Sequence, residues 1–283
     1  MALLTTGLTT GLIIDCANLE TSVLPVKLLY DHGKFVPPSN LHLSLAPHNP
    51  IPNNLLTPEV LEDIKSRVLF CSPLMIGRDQ QPLEEAYKNF SSATDLYYPI
   101  TLSDGTRANL LIPGWIRERT VEVLFEGDEE DEPSIAQCIL DSLLKVQPDL
   151  RKPLISSMLV IGGTSLLPGF QSRLKQELLH IMRDPAEYEK RRYASLLRLQ
   201  KSIHFIDNAE EHGAGRVFMN NMRGWIGGSL VGCLKISGEE ITKEKFTGSV
   251  TDWSVGNWNN SSETSLEREI ASATTGNISS NVK

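Results

Sequence analysis

The sequence predicts an α/β fold in which a mixed sheet carries helices on both faces. Residues 158–161 form a continuous apolar run, as expected for a parallel strand that is covered on both sides. Gly162-Gly163 follows this run, and apolar residues spaced by four over 170–178 mark one face of a helix. Residues 12–15 form a second apolar strand, which ends in a carboxylate. Strand, glycine turn and helix in this order are typical of α/β proteins.

Length and composition restrict the possible functions. The chain has 283 residues, which suits one large or two modest domains. Its formal net charge of -8 argues against a general nucleic-acid binder, because no basic field is present to displace phosphate counterions. The four cysteines are far apart and form no Cys-x-x-Cys pair, so we expect reduced thiols and no zinc site. No apolar run reaches the roughly 18 residues of a membrane span, and no secretory signal is evident, so we expect a cytoplasmic protein without direct membrane insertion.

Asp15 is the first candidate for chemistry. A carboxylate at the end of a buried strand often holds a metal–phosphate group, and it equally often bonds its own backbone in a turn. Residues 21–26 resemble a second strand, which would form a hairpin with the first. The passage 30–57 is rich in Pro and Asn and predicts an extended, loop-rich segment. Its histidines lack carboxylate or cysteine neighbours at ligand spacing, so we expect them to be solvated.

The middle of the chain contains clearer elements. Thr57-Pro58 predicts a helix start, with Asp63 and Lys65 off its buried stripe, on the side that usually faces water. Asp104-Gly105 is a turn pair of two-residue hairpins and lies between apolar segments of a predicted hairpin over 98–110. Residues 115–125 are predicted as a helix, an acidic loop follows, and Pro133 is predicted to begin the next helix.

The last third of the chain is less regular. Residues 149–153 are expected to lead into the strand at 158–161, and Asp184-Pro185 is expected to end the helix that follows it. The basic stretch 186–201 is interpreted as an exposed helix face. The glycines of 224–232 suit close packing of a helix start against a strand or a ligand. The Ser/Asn-rich tail 257–283 is predicted to be disordered.

The glycine turn after the central strand has two readings. Backbone N–H groups at such a turn can hold a phosphate or approach a base. Many α/β proteins use the same turn only to pack a helix against a strand. The residues by themselves leave both readings open.

Three segments together resemble the actin family. Residues 161–170, Ile-Gly-Gly-Thr-Ser-Leu-Leu-Pro-Gly-Phe, are similar to its adenine-side loop. Residues 225–229, Trp-Ile-Gly-Gly-Ser, are similar to a segment of the same sequence in that family, and 9–15 resemble its strand entering the second phosphate hairpin. Their order and separations agree with actin, as do 63–65 and the hairpin from Tyr98 to Gly105.

This resemblance implies an actin-like lobe of the ribonuclease-H-like superfamily with a reduced insertion subdomain. The implied core lobe comprises 1–29 and 96–235, and the insertion comprises 30–95. A segment of the subdomain 1 type follows at 236–256, before the tail. The resemblance also implies a degenerate nucleotide site. Its residues would be Asp15, Lys65, Gly162, Gly163, Thr164, Leu166 and Leu167.

The departures from the actin pattern argue against catalysis. The family's Asp-x-Gly-Asp-Gly is replaced by Asp15-Cys16-Ala17-Asn18-Leu19, which lacks both glycines and the second carboxylate. Ser66 stands where actin has a glutamate for the ribose, and the first phosphate loop has no counterpart in this chain. Phosphoryl transfer depends on positioning and charge, so we expect no catalytic residues, no metal site, and ATP or ADP as a structural ligand at most.

Three functional hypotheses follow. In the first, the chain is a non-enzymatic subunit like the divergent actin-related subunit at the pointed end of dynactin, the cofactor that couples cargo to dynein on microtubules. Its partners would be actin-related filament subunits and pointed-end subunits of dynactin. In the second, it is an active ATPase of the wider actin, chaperone and sugar-kinase superfamily. In the third, it is a nuclear actin-related subunit of a chromatin complex, with its acidic loop facing histones. The loss of the glycines and of the second carboxylate from the phosphate loop favours the first hypothesis, the non-enzymatic subunit.

Overall fold

The computed structural model describes residues 2–8, 10–16, 23–37, 51–52, 55–74, 88, 91–126, 133–183, 191–206, 218–234, 243–244 and 246. The chain divides into two compact units, Met1–Lys235 and Ile236–Lys283. The acidic loop at 127–132 and the tail at 257–283 lie outside the described residues. The domain boundaries expected from the sequence stay predictions.

Five strands form two sheets within the described part of the chain. Strand β1 (Leu12–Asp15) pairs in parallel with β5 (Met158–Ile161). Strands β2 (Lys34–Val36), β3 (Leu96–Thr101) and β4 (Arg107–Ile112) form an antiparallel sheet in the order β2-β4-β3. The predicted α/β class is confirmed, with the parallel and antiparallel pairs in separate sheets.

Seven α-helices of the described residues surround these sheets. They are α1 (Val23–His32), α2 (Pro58–Arg67), α3 (Gly114–Glu122), α4 (Ile135–Lys145), α5 (Pro148–Ile155), α6 (Phe170–Arg183) and α7 (Arg223–Leu234). Short 3-10 helices lie at Ala2–Thr6, Thr164–Leu166, Leu197–Ser202 and Asn220–Met222.

Strand β5 is the centre of the first hydrophobic core. All four of its residues are buried, with Met158 and Val160 in the large cluster that includes α4 and α6. Leu159 and Ile161 belong to a separate cluster, with Ala2. Alternate residues of β5 therefore pack against different neighbours. This confirms the prediction that the strand is covered on both sides. The predicted end of α6 before Asp184 is also confirmed, since the helix ends at Arg183.

A second hydrophobic core joins α2 to the hairpin β3–β4. Ile64 and Val68 pack in the same cluster as Leu110 and Ile112, all of them buried. Helix α2 begins as predicted, because the Thr57 hydroxyl accepts a hydrogen bond from the Val60 N–H. This apolar stripe at helical spacing and the cap are both local signals, which is why the sequence revealed them.

The predicted strand over residues 21–26 is wrong, because helix α1 begins at Val23. A helix accepts Pro25 in its first turn, since the N–H groups there have no intrahelical partner. Leu28 and Leu29, farther along α1, are buried in the second core. The passage 30–57 is also less irregular than predicted, since it contains the end of α1 and the whole of β2. His32, expected to be solvated, stacks edge-on against Trp115 with ring centroids 5.0 Å apart.

Helix α5 was missed by the sequence analysis. Pro148 and Asp149 in its first turn are residues that favour the start of a helix. Pro153, inside the helix, is a residue that usually interrupts one. The basic stretch differs in part, since Arg191 and Arg192 are helical but Leu197–Ser202 is a 3-10 helix where a regular helix was expected. Helix α3 ends at Glu122, three residues before the predicted end at Phe125.

The β3–β4 turn is longer than the predicted two-residue type. Gly105 donates its N–H to the Leu102 carbonyl, and Leu102 donates to Thr106, both at 2.9 Å. Gly105 has a φ of +81°, the left-handed conformation of a three-residue hairpin loop that ends in a glycine bulge. In α7, Cβ atoms placed at Gly224 or Gly228 would meet nothing within 4 Å, whereas Gly227 is buried, so the predicted close packing of this glycine-rich segment stays a prediction.

Candidate functional site

The candidate site lies where the carboxyl ends of β1 and β5 meet. Asp15 is paired with Ile161, and the Cys16 N–H donates to the Ile161 carbonyl at 3.0 Å. The Cys16 carbonyl in turn accepts a hydrogen bond from Thr164 at 3.4 Å. The fold therefore brings the predicted residue Asp15 to the glycine turn and to Thr164.

The two glycines of the turn have different roles. Gly162 has a φ of +93°, and a Cβ atom there would lie 2.2 Å from the Cys16 carbonyl oxygen. Backbone packing alone thus requires glycine at this position. Gly163 has a φ of -64°, and a Cβ atom there would meet no atom within 4 Å. Close packing explains Gly162, while Gly163 faces open space that a ligand can approach.

A cleft of about 440 Å³ lies beside β1 and includes Asp15 and Thr164 in its wall. Its other lining residues come from β1 and from α4 with its flanking segments: Leu12, Ile13, Ile14, Cys16, Leu124, Pro133, Ile135, Cys138, Ile139 and Ser142. Among the described lining residues there is no lysine or arginine, and Asp15 is the one charged side chain. The described part of this wall therefore suits an apolar or base-like group. It offers no cationic side chain that could bind a phosphate.

Lys65 is the predicted residue that lies on α2 and not at the ends of β1 and β5. It lies on α2 with its side chain 12 % exposed, and its Nζ is 3.8 Å from Glu62 Oε2. The segment after α2 does reach the turn, because the Cys71 N–H donates to the Pro168 carbonyl at 2.8 Å.

Leu166 and Leu167 follow the glycine turn directly. Both are half-buried, and Leu167 packs against the first hydrophobic core. Their position beside Thr164 is compatible with a base resting on them. The assignment of all seven predicted residues to nucleotide binding stays a prediction.

Asn220 is a residue of this site that sequence reasoning missed. It is fully buried, and its carbonyl accepts a hydrogen bond from the Gly162 N–H at 3.4 Å. Its Oδ1 accepts from Arg223 Nε at 3.3 Å, and Arg223 Nη1 donates to Thr5 Oγ1 at 2.9 Å. Asn220 Nδ2 has no hydrogen-bond partner within the described part of the chain. The contact is distant in sequence, so no local pattern indicated it.

A buried arginine stabilises the loop on the other side of the site. Arg173 of α6 is 1 % exposed and makes two hydrogen bonds of 2.7 Å to the Glu122 carboxylate. It also donates to Glu177 and to the Ser72 carbonyl, at 2.9 Å and 3.0 Å. Burial lowers the pKa of Arg173, but hydrogen bonds and charge from Glu122 and Glu177 outweigh it and raise the pKa above its ordinary value. The side chain is therefore cationic.

No metal-binding cluster accompanies Asp15. Groups of three or more His, Cys, Asp or Glu side chains placed to hold a metal ion do not occur among the described residues. A single exposed carboxylate on an otherwise apolar wall does not position a nucleophile and a leaving phosphate. The described residues around Asp15 do not fit a hydrolytic metal–nucleotide site.

The cysteines provide a direct test of this local packing. Burial, then the negative charge of Asp15, raises the pKa of Cys16 to about 12, and burial raises the pKa of Cys71 to about 12 despite Arg173 nearby. Cys138 and Cys233 are exposed. Because the thiolate is the reactive form, we expect iodoacetamide near neutral pH to modify Cys138 and Cys233 first. Peptide mapping of the native protein measures this order, and rapid modification of Cys16 would contradict the packing described.

The comparison with known proteins gives one family and several relatives. The profile of the family described as Actin matches residues 52–249, well over half of the chain. Actin-related protein 10 of Dictyostelium discoideum is 28% identical over 239 residues, which cover 77% of this chain and 45% of that protein. Actin-like protein 8 of Homo sapiens is 30% identical over 63% of this chain and 50% of its own length. Centractin of Saccharomyces cerevisiae is 27% identical over 63% of this chain and 47% of its own length.

The chain spans about half the length of the curated relatives it matches. Within the part that the structure describes, no helix has both the length and the apolar character needed to cross a bilayer.

Proposed function

The chain belongs to the actin family, and we propose that it acts as a non-enzymatic, actin-related structural subunit of dynactin. In this proposal it lies at the pointed end of the complex's actin-related filament. It would support dynein-driven transport along microtubules through that assembly, in the cytoplasm and on the cytoskeleton. Its direct partners would be actin-related filament subunits and the pointed-end subunits of dynactin.

The observation that carries the proposal is the altered phosphate side of the cleft. The described residues of the wall at Asp15 include no cationic side chain, and the sequence after Asp15 lacks the glycines that shape a phosphate loop. An actin-family chain without this chemistry retains a fold suited to assembly. The similarity to Actin-related protein 10 and to centractin supports a place among actin-related proteins.

Nucleotide has at most a structural role in this proposal. The open space beside Gly163 leaves room for a nucleotide base to bind. The largely apolar wall at Asp15, by contrast, is unfavourable for binding the phosphate groups. ATP or ADP would then stabilise the fold without turnover. Steady phosphate release from the purified chain with magnesium and ATP, abolished by Asp15→Ala, would instead support the ATPase alternative.

Affinity capture of the tagged chain from cytosol tests the function. We expect mass spectrometry to identify dynactin subunits, with an actin-related filament protein among them. The matched control is Arg173→Met, which should lose these partners because it removes the cation from a buried ion pair. Circular dichroism and cooperative thermal unfolding of the captured wild-type chain establish that it is folded.

Two results would contradict the proposal. A folded wild-type chain that recovers chromatin-complex subunits would favour the nuclear alternative. A folded chain that recovers no dynactin subunit at all would remove dynactin as the partner.

A further inference from the structure

A group of exposed basic side chains lies where α5, the end of α6 and the 3-10 helix Leu197–Ser202 come together. Gln200 Nε2 donates to the Met182 carbonyl at 2.5 Å, which joins the 3-10 helix to the end of α6. Arg151 Nη1 donates to Ser195 Oγ at 3.1 Å, which joins α5 to the segment before the 3-10 helix. These contacts hold the three elements in fixed positions.

Four exposed cations project from these elements and a fifth lies in the segment before the 3-10 helix, and we call the five the basic face. They are Lys152, Arg183, Arg191, Arg198 and Lys201. Arg183 is adjacent to Met182 and Lys201 to Gln200, so these two cations flank one hydrogen bond. Lys152 is adjacent in the same way to Arg151 on α5.

Few acidic groups of the described residues compensate these charges. Asp141 is already engaged, since it accepts from Arg192 at 2.7 Å and from Tyr193 at 2.9 Å. Asp149, in the first turn of α5, is exposed. Within the described part of the chain, no ion pair is recorded for any member of the basic face. This concentration of positive charge is unusual in a chain whose formal net charge is -8.

We propose that the basic face docks an acidic segment of a neighbouring protein. Guanidinium and ammonium groups bind carboxylates through charge-assisted hydrogen bonds, and complementary charge sets orientation and association rate. Leu150, on the same helix as Lys152, is 47% exposed and is an apolar side chain open to solvent. The inference goes beyond the proposed function, because none of the five cations lines the cleft and the partner is defined by its acidic chemistry.

Protein carboxylates suit this surface better than nucleic acid does. A nucleic-acid duplex presents a long, dense row of phosphates, which the negative charge of the rest of the chain would repel. A short acidic peptide segment engages only the local basic face. The partner chemistry is therefore a run of Asp and Glu side chains on an exposed protein segment.

Fluorescence anisotropy of the whole chain with a labelled peptide tests the proposal. The probe is a peptide of about ten Asp and Glu residues, at about 50 mM and about 200 mM salt. The test variant is Lys152→Glu/Arg198→Glu/Lys201→Glu, and the control is Lys27→Glu/Lys34→Glu/Arg107→Glu. All six positions are exposed, and both variants change the net charge equally.

We expect the test variant to weaken peptide binding at least about tenfold and the control less than about twofold. Higher salt should weaken binding to the wild-type chain. Equal weakening by the two variants would overturn the proposal, as would undetectable binding to the folded wild-type chain. Tighter binding of a single-stranded oligonucleotide of equal charge would identify a nucleic-acid surface and overturn it as well. As a control for folding, the thermal unfolding midpoints of both variants should equal that of the wild-type chain.

Discussion

Replacing Arg173 with Met is expected to lower the free energy of unfolding by about 3–5 kcal/mol. The substitution keeps much of the side-chain volume but leaves the buried carboxylate of Glu122 without its cation. It also removes the hydrogen bond to the Ser72 carbonyl, so the segment between α2 and the glycine turn loses an attachment to α6. Urea unfolding followed by circular dichroism measures the change.

The exposed pair Arg192–Asp141 provides the matched control. Its N–O distance is also 2.7 Å, but the Arg192 side chain is 53% exposed. Arg192→Met should therefore cost no more than about 1 kcal/mol, because water already solvates this pair. Adding Glu122→Gln to Arg173→Met should recover part of the stability, since it removes the uncompensated charge. Equal losses in the two single arginine variants would contradict the special role of the buried pair.

Replacing Gly162 with Ala is expected to cost about 3 kcal/mol or more. The new Cβ would lie 2.2 Å from the Cys16 carbonyl oxygen, a backbone atom that cannot rotate away. The φ of +93° adds strain for any residue with a side chain. Thermal and urea unfolding measure the loss, and faster alkylation of Cys16 should accompany it, because the turn must move away from the end of β1.

Gly163→Ala is the neighbouring control for this prediction. Its φ is -64° and its Cβ would meet no atom, so its effect on stability should be within about 0.5 kcal/mol. If the two alanine variants were equally stable, the close approach between the turn and β1 would be refuted. If Gly163→Ala alone weakened the binding of an adenine nucleotide, the open side of the turn would be identified as a ligand surface.

The sequence predicted best the elements that local patterns determine. Strand β5 is a continuous apolar run, and α2 has its cap and its stripe, so both could be placed from a few residues. Helix α1 was misassigned because a short apolar stretch with Pro25 suits a strand edge or a first helical turn equally well. Tertiary packing of Leu28 and Leu29 decides between them.

The site was only partly predictable for a similar reason. Asp15 and the glycine turn follow strand ends, which parallel pairing brings together. Asn220 reaches the turn, and Arg173 reaches the segment after α2, through contacts between distant segments, and neither residue belongs to a recognisable motif. A charged residue within a helical stripe, such as Arg173, resembles a surface residue until its buried partners are known.

The hydrogen bond between Arg223 and Thr5 has a consequence for synthesis on the ribosome. The two residues are 218 positions apart, so the first segment of the chain emerges long before α7 exists. At about 5–20 residues per second, the interval is roughly 10–40 s. Throughout that time Thr5 lacks its partner Arg223. Strand β1 likewise waits for β5 during most of the same interval. We therefore expect the yield of folded chain to depend on the chaperones available during translation.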